Sequence, residues 1–226
     1  MELIELTVRD FRNLSAQKFR FGAATNVVLG ANGAGKTSLL EALVVLGNLR
    51  SFRASHLRRV ARHSRPGFRL EGEVEVGSRT HRLEQTVEIG PPIARDLRVD
   101  GAVVDVEHYL QYLPVFAMTA QDRELVAGPP EGRRSFLDRF IFLLRPAYID
   151  LVRSYRRLLR QRNAALVGGA TDTEIEAWEE PLAAAAAEIV SARHDGVSVL
   201  AQSFTDVWNA LSIESAPEIF IEYRSG

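Results

Sequence analysis

A glycine-rich turn followed by a lysine and two hydroxyl residues is the stretch of this sequence whose residue types and spacing best fit a chemical task. In VVLGANGAGKTS, Gly30, Gly35, Lys36 and Thr37 follow the pattern G-x-x-x-x-G-K-[ST]. The glycines allow successive backbone N–H groups to turn towards one anion at the positive end of a following helix. Lys36 can then reach the β- and γ-phosphates of a nucleotide, and the Thr37 hydroxyl can bind Mg²⁺. We therefore predict a site for a nucleoside triphosphate with Mg²⁺.

Residues 30–38, the phosphate loop, supply most of the residues predicted to hold the nucleotide. They are Gly30, Ala31, Asn32, Gly33, Ala34, Gly35, Lys36, Thr37 and Ser38.

A phosphate loop needs a strand before it and a helix after it, and the flanking residues predict both. The run TNVVLG is short and β-branched, which is typical of a strand buried on both faces. Leu39, Leu40, Leu43 and Leu46 have helical spacing and predict a helix that stops at Gly47-Asn48. Two further strands, LIELTVRDF and KFRF, precede the loop and are joined by RNLSAQ.

The remainder of the first half has the alternation of strands. FRLEGEVEV and THRLEQTVEI flank Gly77-Ser78 and predict a hairpin, and Asp100-Gly101 marks a second one. The run LPVFAM at residues 113–118 predicts a last strand. We assign residues 1–118 to a strand-rich nucleotide-binding domain.

Residues 119–226 have helical periodicity instead. EGRRSFLDRFIFLL predicts a helix that Pro146 ends, and an apolar stripe from Ile149 to Leu166 predicts a second. Thr171 and Glu174 form a capping-box pair at the start of a third helix, which Pro181 is expected to kink or restart. EIFIEYRSG predicts a strand.

Composition narrows the classes of protein that this sequence can belong to. The chain has 226 residues, a net charge of −1 and no cysteine, so disulfides, thiolate catalysis and cysteine-based zinc sites are excluded. The amino terminus has no signal-peptide pattern, and no apolar run reaches the roughly 20 residues that span a bilayer. We expect a cytoplasmic protein without a membrane segment, in which any surface for nucleic acid is local.

Several segments together resemble the RecF family of bacterial ATPases. VRDFRNL, GANGAGKTSLLEAL, SFR, ELVAGPPEGRRSFLD and YRRLLRQRNAAL occur in the order and spacing of that family. The resemblance implies an α/β fold, a P-loop NTPase head of the ABC type. Residues 1–118 would be lobe I with a mixed sheet, and residues 119–226 would be helical lobe II.

The resemblance also implies a function and partners. RecF-like proteins bind ATP and DNA in recombinational repair, replication-fork maintenance and SOS induction. They act at gapped DNA with RecR and RecO, and they dimerise when they bind ATP.

Smaller motifs take roles from the same resemblance. Arg12 and Asn13 match a loop that folds over the nucleotide in related heads, although a solvated turn is an equal alternative. Gln121 lies where such heads place a glutamine that senses Mg²⁺ and the γ-phosphate. Arg133, Arg134 and Asp138 are expected to form an internal ion-pair network, because Arg and Asp at i, i+4 pair on a helix.

Two arginine clusters are candidate DNA contacts. The first comprises Arg50, Arg53, Arg58, Arg59, Arg62 and Arg65; the second comprises Arg153, Arg156, Arg157, Arg160 and Arg162. Such runs are commonly solvated helix faces, but few acidic residues lie within them, which favours a surface facing phosphates. Each cluster contains a single aromatic residue, Phe52 or Tyr155, and not the repeated interleaving that base stacking would require, so contacts to the DNA backbone and shape are expected.

Two motifs of an ABC-type ATPase are not found in the sequence. They are the family's Ser-x-Gly-Gln signature and an apolar strand that ends in two acidic residues, for which EIFIE is the nearest match. We therefore expect a chain truncated at its carboxyl end, which binds ATP without hydrolysing it. Two alternatives to a RecF-like protein remain: a small P-loop kinase, and a non-catalytic adaptor with a vestigial phosphate loop.

Overall fold

The computed structural model describes residues 1–211 and 220–224, apart from the Gln121 side chain. The chain divides into two compact units, Met1–Thr119 (unit 1) and Ala120–Gly226 (unit 2). This division lies beside the boundary predicted after residue 118. The assignment of the units as lobes I and II of an ATPase head stays a prediction.

Unit 1 is built from an antiparallel sheet and two helices. Its elements are β1 (Glu2–Phe11), β2 (Leu14–Arg20), α1 (Lys36–Asn48), β3 (Gly67–Val76), β4 (Arg79–Glu88), β5 (Ala94–Val99), β6 (Ala102–Val103) and α2 (Val106–Leu110). The strands lie in the order β2-β1-β3-β4-β5-β6. Both predicted hairpins, at Gly77-Ser78 and at Asp100-Gly101, are confirmed.

One face of this sheet carries the core of unit 1. Alternate strand residues are buried there, among them Leu6, Val8, Leu70, Val74, Leu83 and Val87. Helix α1 packs on the sheet with Leu39, Ala42, Val45 and Leu46 buried. A Cβ atom on Gly72 would come within 2.6 Å of Leu46 Cδ2, so glycine at this position lets the helix lie close to β3.

Two predicted strands are absent from the sheet among the described residues. TNVVLG and LPVFAM have no strand pairing, and the side chains of Val27, Leu29 and Met118 are 74%, 86% and 94% exposed. All pairs in the described sheet are antiparallel, so the expected mixed sheet is not found in this part of the chain. The reason is that an apolar run becomes a strand only where another backbone pairs with it.

Helix α1 begins and ends where the sequence predicted, but Gly47 has another role than a stop. Leu49 terminates the helix in a left-handed conformation, and its N–H donates to the Val45 carbonyl. Gly47 lies inside the helix, where a Cβ would collide with the Leu113 carbonyl oxygen. It therefore allows residues 113–115 to cross the helix closely.

Unit 2 is helical. Its helices are α3 (Glu124–Ala127), α4 (Pro130–Leu144), α5 (Tyr148–Val167) and α6 (Asp172–Leu211). The core contains Leu137, Ile141, Tyr148, Ile189 and Val197. The capping box is confirmed, since the Thr171 N–H donates to Glu174 Oε2 at 2.8 Å. Helix α6 continues through Pro181 as a single helix. EIFIEYRSG lies partly outside the described residues, and its described part, residues 220–224, is not in a strand as predicted.

The ion pairs predicted among Arg133, Arg134 and Asp138 are wrong in their partners. Arg134 pairs with Glu131, and Arg133 donates to the carbonyls of Leu125 and Gly128. Their guanidinium groups are engaged near the start of α4, one or more turns before Asp138.

Asp138 instead joins α4 to α6 and to the start of α5. Its carboxylate accepts from Arg193 Nε at 2.9 Å and Nη2 at 3.1 Å, and from the Tyr148 hydroxyl at 2.8 Å. Burial and this carboxylate raise the pKa of Tyr148. Asp138 therefore connects three helices of unit 2.

Asp100 lies at the β5–β6 turn and is held from β4. Its carboxylate accepts from the Arg82 backbone N–H at 2.8 Å and contacts His81 Nδ1 at 2.8 Å. These hydrogen bonds lower the pKa of Asp100 below its ordinary value of 3.8.

In the described parts of both units, no helix is long and apolar enough to cross a membrane.

Candidate nucleotide-binding site

The phosphate loop runs directly into helix α1. Gly33 and Gly35 adopt φ angles of +81° and +99°, which side chains rarely tolerate. Gly35 occupies the residue before the helix, and its carbonyl accepts from the Leu39 N–H at 2.8 Å. The first N–H groups of a helix have no acceptor within it, so those of α1 point into the loop with the positive end of the helix dipole.

The two residues predicted to contact phosphate and metal are the first residues of α1. Lys36 Nζ donates to the carbonyls of Gly30 at 2.8 Å and Ala31 at 2.9 Å, which keeps the ammonium inside the curve of the loop. The neighbouring Thr37 is exposed. This arrangement brings a positive charge, the positive end of a helix and a hydroxyl together, which is the chemistry that a polyphosphate and its Mg²⁺ ion require.

Asn13, predicted to lie over the nucleotide, contacts the phosphate loop directly. Its Nδ2 donates to the Gly33 carbonyl at 2.8 Å, and its Oδ1 accepts from the Ser38 hydroxyl at 2.7 Å. Ser38 is buried at the first turn of α1. Asn13 therefore links the β1–β2 turn to both ends of the loop-to-helix junction.

Arg12, the other predicted residue of this turn, contacts helix α1 and the chain after it. Its Nε and Nη2 atoms donate to the two carboxylate oxygens of Glu41 at 2.9 and 2.7 Å. Its Nη1 donates to the Arg59 carbonyl at 2.7 Å. The guanidinium is thus engaged within unit 1, and a contact from Arg12 to the nucleotide stays a prediction.

Glu41 is a central residue of this region that the sequence did not single out. It lies in α1 with a fully buried side chain, and it also accepts from the Ser51 hydroxyl and approaches Arg53 Nη1 at 3.6 Å. The only signal was a carboxylate on a helix whose neighbouring positions are apolar. Such a residue needs a cationic partner, but the sequence does not say which one.

Gln121 lies in a short 3₁₀ helix, Ala120–Arg123, in unit 2. Its side chain is outside the part of the chain that the structure describes. Its predicted contact with Mg²⁺ and the γ-phosphate stays a prediction.

The first arginine cluster lies around a 3₁₀ turn at Leu57–Arg59 and is partly neutralised. Arg53 and Arg65 have the acidic neighbours Glu41 and Asp10 at 3.6 and 3.2 Å. Arg58 and Arg59 are exposed and Arg62 is half-buried, and none of the three forms an ion pair with a described residue. We call residues 57–62 the arginine segment.

The second cluster lies on α5, where Arg153, Arg156, Arg157 and Arg160 have the i, i+3, i+4, i+7 spacing of one helix face. Arg153 pairs with Asp150 at 2.9 Å. The other three are exposed, and they have no ion pair among the described residues. The fifth member of this cluster, Arg162, pairs with Glu179 at 2.7 Å.

Comparison with known proteins places the chain among RecF sequences. Residues 2–119 match the family described as RecF/RecN/SMC N terminal domain. The chain is 37% identical to the DNA replication and repair protein RecF of Anaeromyxobacter sp. (strain Fw109-5) over 225 residues, or 99% of this chain and 60% of that protein. It is 38% identical to RecF of Myxococcus xanthus (strain DK1622) over 89% of this chain and 53% of that protein. The chain thus spans about 60% of the length of the first of these relatives.

Solved structures give the same result for the fold. The recombination mediator protein RecF–ATPrS in the RecFOR pathway superposes with a TM-score of 0.84 at 26% identity, over 93% of this chain and 58% of that one. The corresponding RecF–ATP structure gives a TM-score of 0.82 over the same shares. The expected fold, a P-loop head of the ABC and SMC type, is confirmed. The chain belongs to the RecF/RecN/SMC N-terminal domain family, and the relatives it resembles along its length are RecF proteins.

Proposed function

We propose that this chain binds ATP with Mg²⁺ at the phosphate loop and belongs to a protein of DNA replication and repair. One observation carries the first part: Lys36 Nζ lies inside a glycine-rich curve at the start of α1, 2.8 and 2.9 Å from two loop carbonyls. Phosphate oxygens would replace those carbonyls as acceptors, and Thr37 would contribute its hydroxyl to the ion. Resemblance to a RecF–ATP structure supports the choice of nucleotide.

Replacement of Lys36 by alanine tests this proposal. The loss of one charge-assisted contact costs about 1.5–3 kcal/mol, or roughly 10- to 150-fold in ATP affinity. Lys18→Ala is the matched control, because Lys18 is the only other lysine and its ammonium pairs with Glu5 on the sheet. We expect titration calorimetry to show weaker binding for Lys36→Ala alone, with unchanged far-ultraviolet circular dichroism. Equal affinities of the two variants would contradict the proposal.

We further propose that DNA contacts the chain through arginines that have no acidic partner among the described residues. Arg156, Arg157 and Arg160 form an exposed stripe on α5, and Arg58 and Arg59 form a smaller one in unit 1; within the described ranges none of the five has an ion pair. Phosphate contacts release condensed counterions, and each lost contact removes a slope of about 0.9 from log K against log salt.

Two pairs of substitutions on the same helix distinguish the loss of DNA phosphate contacts from a change in net charge alone. Arg156→Gln with Arg160→Gln removes two guanidinium groups that form no ion pair within residues 1–211 and 220–224. Arg153→Gln with Arg162→Gln removes two that are already engaged with Asp150 and Glu179. Both pairs change the net charge equally. We expect only the first pair to reduce the slope of log K against log salt for binding to gapped DNA, by about 0.9 for each of two lost contacts.

The same comparison decides between the two clusters. Arg58→Gln with Arg59→Gln tests the arginine segment in unit 1. If all three pairs leave the salt dependence unchanged, the arginines are solvated surface residues and the proposed DNA contact is wrong.

The further roles rest on the resemblance to RecF. We propose gapped DNA or single-/double-strand junctions as substrate, RecR and RecO as partners, an ATP-dependent homodimer, and roles in the SOS response. Sedimentation of the whole protein with and without ATP, and then with each partner, tests these assignments. A monomer at saturating ATP would contradict the dimer.

A further inference from the structure

Glu41 is the most completely buried carboxylate of the site region, and its surroundings show why it is tolerated. A buried charge is costly unless it is paired and hydrogen-bonded. Both oxygens of Glu41 are occupied by Arg12, at 2.9 and 2.7 Å, and Oε1 also accepts from the Ser51 hydroxyl. Its side chain has no exposed surface, so it has no direct access to a ligand.

The partner of Glu41 is adjacent in sequence to the residue that braces the phosphate loop. Arg12 and Asn13 form the two-residue turn between β1 and β2. The guanidinium of Arg12 is fixed to α1 through Glu41 and to the arginine segment through the Arg59 carbonyl. The Arg12 backbone N–H donates to the Val60 carbonyl at 2.8 Å. These contacts hold the turn in the orientation that the structure shows.

That orientation directs the Asn13 amide at the phosphate loop. Asn13 uses its donor on the Gly33 carbonyl and its acceptor on the Ser38 hydroxyl, so a rotation of the turn would break both hydrogen bonds. Gly33 and Ser38 lie on either side of Lys36 in sequence. The conformation of the loop around the lysine therefore depends on where the turn is held.

We propose that Glu41 is a positioning residue for nucleotide binding, which acts through Arg12 and Asn13 to hold the phosphate loop in its binding conformation. This inference rests on the proposed ATP site. Glu41 lies more than one helical turn beyond Lys36. Its buried carboxylate would affect the affinity for ATP without contacting the ligand.

The same carboxylate organises the chain after α1. Ser51 donates to Glu41, and its hydroxyl oxygen accepts from the backbone N–H groups of Arg53 at 2.9 Å and Ala54 at 2.8 Å. Loss of the charge therefore loosens the turn at Ser51 as well as the one at Arg12. The phosphate loop and the arginine segment are supported from one point in helix α1.

Glu41→Gln is the direct test, because glutamine keeps the shape but turns one acceptor into an NH₂ group that faces guanidinium donors. The matched control is Glu5→Gln, which makes the same change at a carboxylate with two cationic neighbours, Lys18 and Arg20, on the sheet. We expect Glu41→Gln to weaken ATP binding by about fivefold to tenfold and Glu5→Gln to leave it unchanged.

A double-mutant cycle distinguishes positioning from a general loss of stability. If Glu41 acts through Asn13, then Glu41→Gln in an Asn13→Ala background changes affinity by less than about twofold, since the link is already broken. An effect of full size in that background would overturn the proposal. So would equal affinities of Glu41→Gln and Glu5→Gln.

Hydrogen exchange of the nucleotide-free chain gives a second measurement that does not depend on ATP. We expect faster exchange of the amide groups of residues 31–37 in Glu41→Gln than in Glu5→Gln. If the unsubstituted chain does not bind ATP, the proposed function fails, and this comparison alone decides whether Glu41 holds the loop. Unchanged exchange would overturn the inference while leaving ATP binding at Lys36 intact.

Arg12→Lys covers the case in which Glu41→Gln does not fold. Lysine keeps the positive charge beside the carboxylate but cannot donate to both oxygens from a planar fork. We expect the same loosening of the loop and the same weakening of ATP binding. Behaviour identical to that of Glu5→Gln would overturn the proposal.

Discussion

Alanine at Gly35 and alanine at Gly33 should have very different costs, although both glycines lie in the phosphate loop with positive φ. At Gly35, with φ of +99°, an added Cβ would lie 2.8 Å from Leu14 Cδ2 and 3.2 Å from Asn13 Nδ2. At Gly33, with φ of +81°, it would meet nothing within 4 Å. The two substitutions share the backbone strain, and only the first adds a collision.

The magnitudes follow from these distances. A left-handed backbone costs a residue with a Cβ about 1–2 kcal/mol, and we expect Gly33→Ala to lose that amount. Carbon atoms in contact lie roughly 3.5–4.0 Å apart, so the Gly35 variant must displace Leu14. Leu14 is 2% exposed, so its side chain would have to move within the core. Overpacking of this kind adds about 1–3 kcal/mol, which gives about 2–5 kcal/mol for Gly35→Ala.

The assay must report on unit 1, and tryptophan fluorescence does not. Both tryptophans, Trp178 and Trp208, lie in α6 of unit 2. Native-state hydrogen exchange of the amides in β1, β3 and β4 measures the opening free energy of the sheet instead. If the two variants lower this free energy equally, contact with Leu14 does not explain the requirement for glycine at position 35.

Two further predictions concern the carboxylates of Asp138 and Asp100. Asp138→Asn should cost unit 2 about 3 kcal/mol, since it removes the charge that binds Arg193 in a largely buried site. Asp195→Asn, which removes the half-exposed pair with Arg145, should lower the free energy of unfolding by less than about 0.5 kcal/mol. Similar urea midpoints for both variants would contradict this expectation. At Asp100 the folded pKa lies below the unfolded one, so the unfolded state binds more protons in acid. Its stabilisation is present above the ordinary value of 3.8, and it is lost as pH falls through the folded pKa. Asp100→Asn should therefore unfold with a weaker pH dependence below pH 4 than the unsubstituted chain, and identical acid limbs would contradict the role of this carboxylate.

The parts of the fold that depend on local chemistry could be predicted from the sequence. Gly77-Ser78 and Asp100-Gly101 specify turns by themselves, and the capping box at Thr171 is complete within four residues. The phosphate loop is of the same kind, because the conformation of Gly33 and Gly35 is a property of those residues.

The parts that depend on distant partners could not be predicted. TNVVLG has the composition of a strand, but no described strand pairs with it. Asp138 was assigned to Arg134, four residues away, whereas its partner is Arg193, which is brought beside it by the packing of α6 on α4. The pairing of Glu41 with Arg12 joins residues 29 positions apart, one in helix α1 and the other in the β1–β2 turn.

The scarcity of lysine makes the phosphate loop accessible to selective labelling. The chain carries three amines in all, the α-amino group, Lys18 on the sheet and Lys36 in the loop. The surroundings of the two lysines differ, because the exposed Lys18 ammonium pairs with Glu5 and the Lys36 ammonium donates to two carbonyls in the loop. An amine-reactive reagent followed by mass spectrometry would therefore resolve three products, one of which reports on the nucleotide site. Lys18 serves as an internal standard within the same molecule, so protection of the loop amine can be read without a separate reference protein.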